Sequence, residues 1–193
     1  MKNAVLVIDL EATCSEDGTI APEDMETIEI GACWIGDGGT VIGRFQSFVR
    51  PVLNTHLTQF CTNLTGIQQK DVDDAPIFRD AADLLRQFVQ LQPTEGTIWC
   101  SWGAYDLRQI ERDCARHGIV DPIALPHQNA KRLFAKAQRI GKEVGMAKAI
   151  ELVGLTREGA HHRALDDALN VARLLEWVFG ARFLSPQNAQ KNA

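Results

Sequence analysis

The sequence predicts an α/β fold in which helices cover a mixed sheet, and three observations carry that prediction. Apolar, strand-like stretches fill the first third of the chain, and a glycine-rich turn joins two of them as a hairpin. After residue 97 a short apolar strand gives way to segments of helical periodicity. With 193 residues and 45% hydrophobic content, the chain suits one well-buried core and is short for two. A single domain over residues 1–184 is expected, followed by a polar tail at 185–193.

Residues 3–10 contain the run Ala4-Val5-Leu6-Val7-Ile8, the first strand. Thr27 to Ile35 alternates, with Ile28, Ile30, Ala32 and Trp34 on one face, and Gly36-Asp37-Gly38-Gly39 turns the chain into a third strand over 40–49. Pro76 precedes an amphipathic helix whose apolar positions Phe78, Ala81, Leu85 and Phe88 recur at helical spacing, and Pro93 lies beyond its end. Thr97 to Cys100 reads as a short buried strand. From Asp106, the positions Leu107, Ile110 and Cys114 share a helix face until Gly118 stops it. Further helices are expected over 131–138 and 144–153, and a long one over 163–179; the polar tail from Ser185 is expected to fray. Trp102 and Trp177 are expected to pack in the core rather than form an interface. There is no internal repeat and no low-complexity linker.

Several function classes are excluded early. Five cysteines (Cys14, Cys33, Cys61, Cys100, Cys114) form an odd set without a CxxC pair, which argues against a disulfide framework or a zinc ribbon and for reduced thiols in the cytoplasm. The N-terminal apolar run is too short for a membrane span and meets acids directly, so neither export nor a bilayer is expected. The net charge of −5 hides an uneven distribution: residues 128–149 carry six cations and one acid, leaving −10 for the remainder. This stretch is either a solvated helix face or a basic surface for nucleic acid.

The chemistry starts at Asp9 and Glu11. Side chains at i and i+2 of a strand share a face, so the two carboxylates converge, and like charges held that close repel unless a cation lies between them. Oxygen ligands without thiol or imidazole spacing favour Mg²⁺ or Mn²⁺ over Zn²⁺; two solvated acids at a strand end are the alternative. Asp106 opens a helix just after the Cys100 strand, either as a capping box with Gln109 or facing a cleft. Of the adjacent Asp166 and Asp167, the second shares its stripe with Val171, Leu174 and Val178 and should point inward, where it needs a cation or an arginine such as Arg163. His162 stands five residues before Asp167, and a neutral imidazole there suits proton removal from a water; His161 has the same spacing to Asp166, so the choice rests on which aspartate faces inward.

Taken together, VIDLEATC, SWGAYD and HRALDDA resemble the three motifs of the DEDDh branch of the ribonuclease H-like 3′-to-5′ exonucleases, and CTNLTGIQQKDVDDAP at 61–76 resembles the segment that lies along that family's substrate cleft. The likeness runs from residue 4 to about residue 178. The wording of EATC and SWGAYD most resembles the enhanced-RNAi and histone-mRNA exonuclease branch and its bacterial sporulation-inhibitor-like relatives. The resemblance implies a five-stranded mixed sheet with its second strand antiparallel, and a two-metal site of Mg²⁺ or Mn²⁺ held by Asp9, Glu11, Asp106 and Asp167, with His162 as the base. It further implies a catalytic domain alone, trimming single-stranded RNA from its 3′ end to nucleoside 5′-monophosphates. Ala12 and Thr13 would approach the terminal sugar, Leu64 would wedge under the terminal base, and Phe60 would neighbour it. Glu29 resembles a recurrent family position, with a functional or a structural part equally open. The rivals are a proofreading-type DNA exonuclease and a non-catalytic nucleic-acid-binding module on the same fold.

Overall fold

The computed structural model describes residues 4–93 and 95–185. Five strands, β1 (Val5–Ala12), β2 (Thr27–Ile35), β3 (Val41–Phe48), β4 (Ile98–Ser101) and β5 (His127–Asn129), form one sheet in the order β3-β2-β1-β4-β5. β2 runs antiparallel to both β1 and β3, whereas β1, β4 and β5 are parallel. The Gly36–Gly39 turn closes the β2–β3 hairpin with Gly38 and Gly39 at positive φ, which glycine adopts without strain. β5 contains only His127, Gln128 and Asn129, so no apolar alternation marks it in the sequence; it exists through its pairing with β4.

Each face of the sheet packs on its own helices. Leu6, Ile8, Ile30, Ala32 and Trp34 meet α3 (Phe78–Val89) and α4 (Tyr105–His117) through Ala81, Leu85 and Ile110. Val5, Val7, Cys33 and Ile35 meet α5 (Ala130–Gln138), α6 (Met146–Leu152) and α7 (Ala164–Arg173) through Phe134, Ile150 and Val171. Burial on both faces explains why β2 shows no exposed residue. The contact of α7 with β2 is close: a Cβ on Gly31 would stand 2.1 Å from the Ala164 carbonyl carbon.

Three elements depart from expectation. α1 (Gln59–Thr65) and α2 (Gln69–Asp73) occupy a stretch that periodicity leaves unassigned, because each is too short to show a stripe. The helix expected over 163–179 breaks at Leu174, whose N–H donates to the Val171 carbonyl three residues back. It resumes as α8 (Leu175–Val178), and the bend lets Leu174, Leu175, Trp177 and Val178 all bury, which a single straight stripe does not permit. Of the expected frayed tail, only Ser185 falls within the described residues. All five cysteines are free, and among the described residues no helix is long and apolar enough to cross a membrane.

Candidate active site

The site begins with strand parity. Odd positions of β1 face α7, so Asp9 and Glu11 continue the line of Val5 and Val7 from the core to its edge. β1 runs on to Ala12; the two acids therefore lie within the strand, not past its end, with Asp9 paired across from Gly31 and Glu11 from Glu29. Asp167, on the first turn of α7, arrives where Gly31 lets the helix descend. Carboxylate oxygens of Asp9, Glu11 and Asp167 all lie within 4.8 Å of one another.

Asp106 borders the same cleft from α4. Its Oδ1 accepts the Leu10 N–H at 3.1 Å, tying the helix start to β1 between the two acids. The capping-box alternative is overturned: Ala104 is the N-cap residue of α4, without a side-chain bond. Gln109 instead donates to the Met25 carbonyl and to Asp113, each at 2.9 Å. The Arg163 partner suggested for Asp167 is corrected likewise. Arg163 donates from Nε and Nη2 to Glu29 at 3.1 and 3.0 Å, and the Ala164 N–H adds a third bond at 3.1 Å. Glu29 is thus a buried clamp on the start of α7.

Asp167 keeps an incomplete shell. Its Oδ2 accepts the His162 N–H at 3.0 Å and faces His161 Nδ1 at 3.2 Å. Its Oδ1 is buried with no partner, an arrangement that costs free energy in the absence of a counter-charge. Crowding shows in the neighbours. Burial, then the charges of Asp106, Glu11 and Asp167, hold the Asp9 carboxyl well above the usual carboxylate range. Burial and then Asp167 push Glu11 up to about 8. Burial also lifts Asp106 to about 6, against hydrogen bonds that pull it down. An all-oxygen donor set with an orphaned buried oxygen fits a hard divalent cation.

His162 has φ +58°, a left-handed backbone that turns its N–H onto Asp167. Its ring Nδ1 stands 4.0 Å from Glu11 Oε1, and the ring stacks on His161 at 3.9 Å between centroids. Burial, with His161 beside it, lowers its pKa below 6.5, so the imidazole is neutral at pH 7. Both histidines border Asp167, while Asp166 turns away to accept the Ala160 N–H at 2.8 Å.

The acids open into a cleft of about 510 Å³. Ala12 and Leu64 line it, as the sequence suggests. Thr13 does not: it is buried behind the wall, its Oγ1 accepting the Glu26 N–H at 2.9 Å. Phe60 lies along a separate groove with Ser15, Asp17 and Thr58, so the structure does not bring it to the cleft. Trp102, Tyr105, Met25, Met146 and His161 line the cleft without having been singled out for it. The aromatic pair lies in SWGAYD itself, which was the available signal.

The exonuclease family model matches residues 6–175. The probable 3′-5′ exonuclease KapD of Bacillus subtilis is 31% identical over 91% of this chain and 84% of its own length. The 3′-5′ exonuclease eri1 of Schizosaccharomyces pombe is also 31% identical, over 89% of this chain but 66% of the relative, so the chain spans slightly less than two thirds of that protein. Among solved structures, the nuclease domain of 3′hExo, a DEDDh family member bound to rAMP, superposes with a TM-score of 0.78 at 24% identity, covering 90% of both chains; at that identity the likeness speaks for the ribonuclease H-like fold. The chain belongs to the exonuclease family and is a 3′-to-5′ exonuclease.

Proposed function

We propose that this enzyme removes nucleoside 5′-monophosphates from the 3′ end of single-stranded RNA, with Asp9, Glu11, Asp106 and Asp167 holding two Mg²⁺ or Mn²⁺ ions. The observation that carries the reading is the orphaned Asp167 Oδ1, buried beside Asp9 and Glu11 with no hydrogen-bond partner among the described residues. Ions bound there would supply Lewis-acid stabilisation of the attacking and departing oxygens. The chain's own residues do the rest. His162, neutral at pH 7 and half-exposed at the cleft rim, accepts the proton of the attacking water. The Asp167 carboxylate fixes the His162 backbone, so the base and the acid cluster move as one unit. Ala12 and Leu64 flank the terminal nucleotide, and Thr13 holds the end of β1 through Glu26 rather than touching substrate.

RNA is favoured as substrate because the superposing nuclease domain is bound to rAMP, a ribonucleotide of the product's own class. The 2′-hydroxyl is the group by which a protein distinguishes RNA from DNA at one site. Five free thiols suit a reducing compartment, and residues 1–184 are taken as the working domain.

The test is a pair of oligomers identical except at the sugar 2′ position, incubated with Mg²⁺, with Mn²⁺ or with a chelator, the products being separated by chromatography. Nucleoside 5′-monophosphates from the RNA, dependent on the ion, are expected. Faster turnover of the DNA would instead favour a DNA exonuclease, and oligomer binding without turnover would return the binding-module reading.

A further inference from the structure

The basic stretch noted in the sequence folds onto the surface beside the cleft. α5 and the loop after it present Arg132, Lys136, Arg139 and Lys142 around a shallow groove of about 430 Å³, with Glu143 as the acid on its rim. All four cations are exposed, and among the described residues none has a carboxylate within ion-pair distance. Six cations elsewhere, Arg86, Arg116, Lys148, Arg163, Arg173 and Arg182, each hold an acid; others, Lys131 among them, share the lack of one, so what sets these four apart is that they gather around one groove. In a chain of net charge −5, four unpaired positive side chains gathered on one face form a local field that acids elsewhere do not neutralise.

This groove is joined to the catalytic cleft by a fixed segment. Glu143 lines the groove and Gly145, Met146 and Ala147 line the cleft. Two Cα steps from Glu143 to Gly145 span at most about 7.6 Å. Val144, between them, is buried, and its carbonyl accepts the Trp102 indole N–H at 3.1 Å. Trp102 also lines the cleft and packs on Phe134 of α5 at 5.8 Å between ring centroids. The wall that separates cleft from groove is therefore anchored to the helix that carries the cations.

We infer that Arg132, Lys136, Arg139 and Lys142 form a track for the phosphodiester backbone of the substrate strand, on the 5′ side of the nucleotides held in the cleft. The inference rests on the proposed action on single strands and adds where the rest of the strand runs. Point charges that neutralise phosphates give affinity without sequence preference and a steep dependence on salt. A strand long enough to leave the cleft engages the track; one confined to the cleft does not.

The probes are 5′-fluorescein-labelled oligoadenylates of about 4 and 20 nucleotides, the lengths spanning the usual site size of single-strand grooves. Binding is read by fluorescence anisotropy in chelator, where no cleavage occurs, between 50 and 200 mM salt. The wild type should bind the longer strand more tightly and with the steeper slope. The variant Arg132→Gln/Lys136→Gln/Arg139→Gln/Lys142→Gln should lose roughly tenfold or more in affinity for the longer strand, with the slope of log K against log salt reduced by about 3, at about 0.7 per phosphate contact. Its affinity for the short strand, and its ion-dependent turnover of the short strand, should match the wild type. The double variant Lys136→Gln/Lys142→Gln, which disturbs the helix least, should show about half the change in slope. Equal affinity of variant and wild type for the longer strand, or equal loss on both lengths, would overturn the track; the first result would leave these cations to an acidic protein partner. A wild type that releases nucleotides but shows no length dependence sinks the track and spares the catalytic reading. A wild type that binds by length but releases none does the reverse.

Discussion

Glu11 and Glu29 face each other across the β1–β2 pair, and their surroundings could hardly differ more. Glu29 is fully buried and receives Arg163, the Ala164 N–H and the Gln46 amide, the last at 2.5 Å. Two other buried acids share its character. Glu26 accepts the consecutive N–H groups of Val52, Leu53 and Asn54, and Asp113 accepts Thr27, Gln109 and Arg116. Glu11 is nearly as buried, yet it faces His162 Nδ1 at 4.0 Å, beyond hydrogen-bonding reach, and the charges of Asp167, Glu29 and Asp106 bear on it. A buried carboxylate surrounded by donors works as a structural tie. One surrounded by carboxylates stores repulsion that a cation relieves. Burial alone separates neither group from the other; the count of donors does.

The sharpest way to break this comparison is to remove an acid from each group. Asp9→Ala or Asp167→Ala should abolish mononucleotide release, a loss of about 10⁴-fold or more; the metal-free Asp9→Ala protein should melt at the same temperature or higher, since a repelling charge has gone, whereas Asp167→Ala also loses the acceptor of the His162 N–H. Activity surviving in either variant would show that the cluster is not the seat of the chemistry. Next in size, His162→Ala should lower turnover by roughly 10² to 10⁴-fold and leave ion affinity by calorimetric titration intact. A lost titration in that variant would move the imidazole from proton acceptor to ligand.

The same comparison explains what the sequence could and could not reveal. Asp9, Glu11 and Asp167 were legible because strand parity and helix stripes fix the direction in which a side chain points, and three acids aimed inward have few explanations. Glu26 and Asp113 were not, and Glu29 stood out only as a family position whose part was open, because their partners lie far along the chain: Arg163 is 134 residues from Glu29, and Thr27 is 86 from Asp113. Local pattern carries no information on such pairs, so Gln109 read as a helix cap when its amide crosses to Met25. Elements follow the same division. The β2–β3 hairpin and α3 announce themselves through turn residues and periodicity, whereas β5 is three polar residues held by an existing sheet edge. α1 had a readable start and stop in Thr58, whose side chain accepts the Cys61 N–H, and Gly66 at positive φ.

Glu29 offers the third prediction, and it should separate the groups by kind of damage. Glu29→Ala leaves Arg163 and the Ala164 N–H without their acceptor, which should cost about 3 kcal/mol, or a melting temperature lower by roughly 10 °C for a domain of this size. Because Arg163 follows His162 directly, turnover should fall as well, while the affinity for Mg²⁺ changes little. Glu29→Gln retains an acceptor oxygen and should recover part of both. Full stability in Glu29→Ala would mean that the close packing of α7 on Gly31 suffices to hold the helix start.

The smallest effect is the most diagnostic, because it comes from acidity rather than from a deleted side chain. Burial and neighbouring acids raise Glu11 to about 8 and Asp9 well above its ordinary range. A carboxyl whose folded-state pKa exceeds its unfolded value binds more protons when folded, so stability falls as pH rises between the two values. For Glu11 that window runs from about 4.5 to about 8, which is opposite in sign to the effect of an acid stabilised by a salt bridge. Without divalent ions, the melting temperature should therefore drop by several degrees between pH 5 and pH 8, a change of roughly 2 kcal/mol. Mg²⁺ binds the ionised cluster, so its addition should raise the melting temperature more at pH 8 than at pH 5. Glu11→Gln removes one titrating member and should flatten both dependences, whereas Glu29→Gln, which takes away only one of the charges that raise Glu11, should weaken them less. A metal-free protein whose melting temperature holds or rises across this window would show that the cleft acids are already compensated, and the distinction between the two groups would fail at its root.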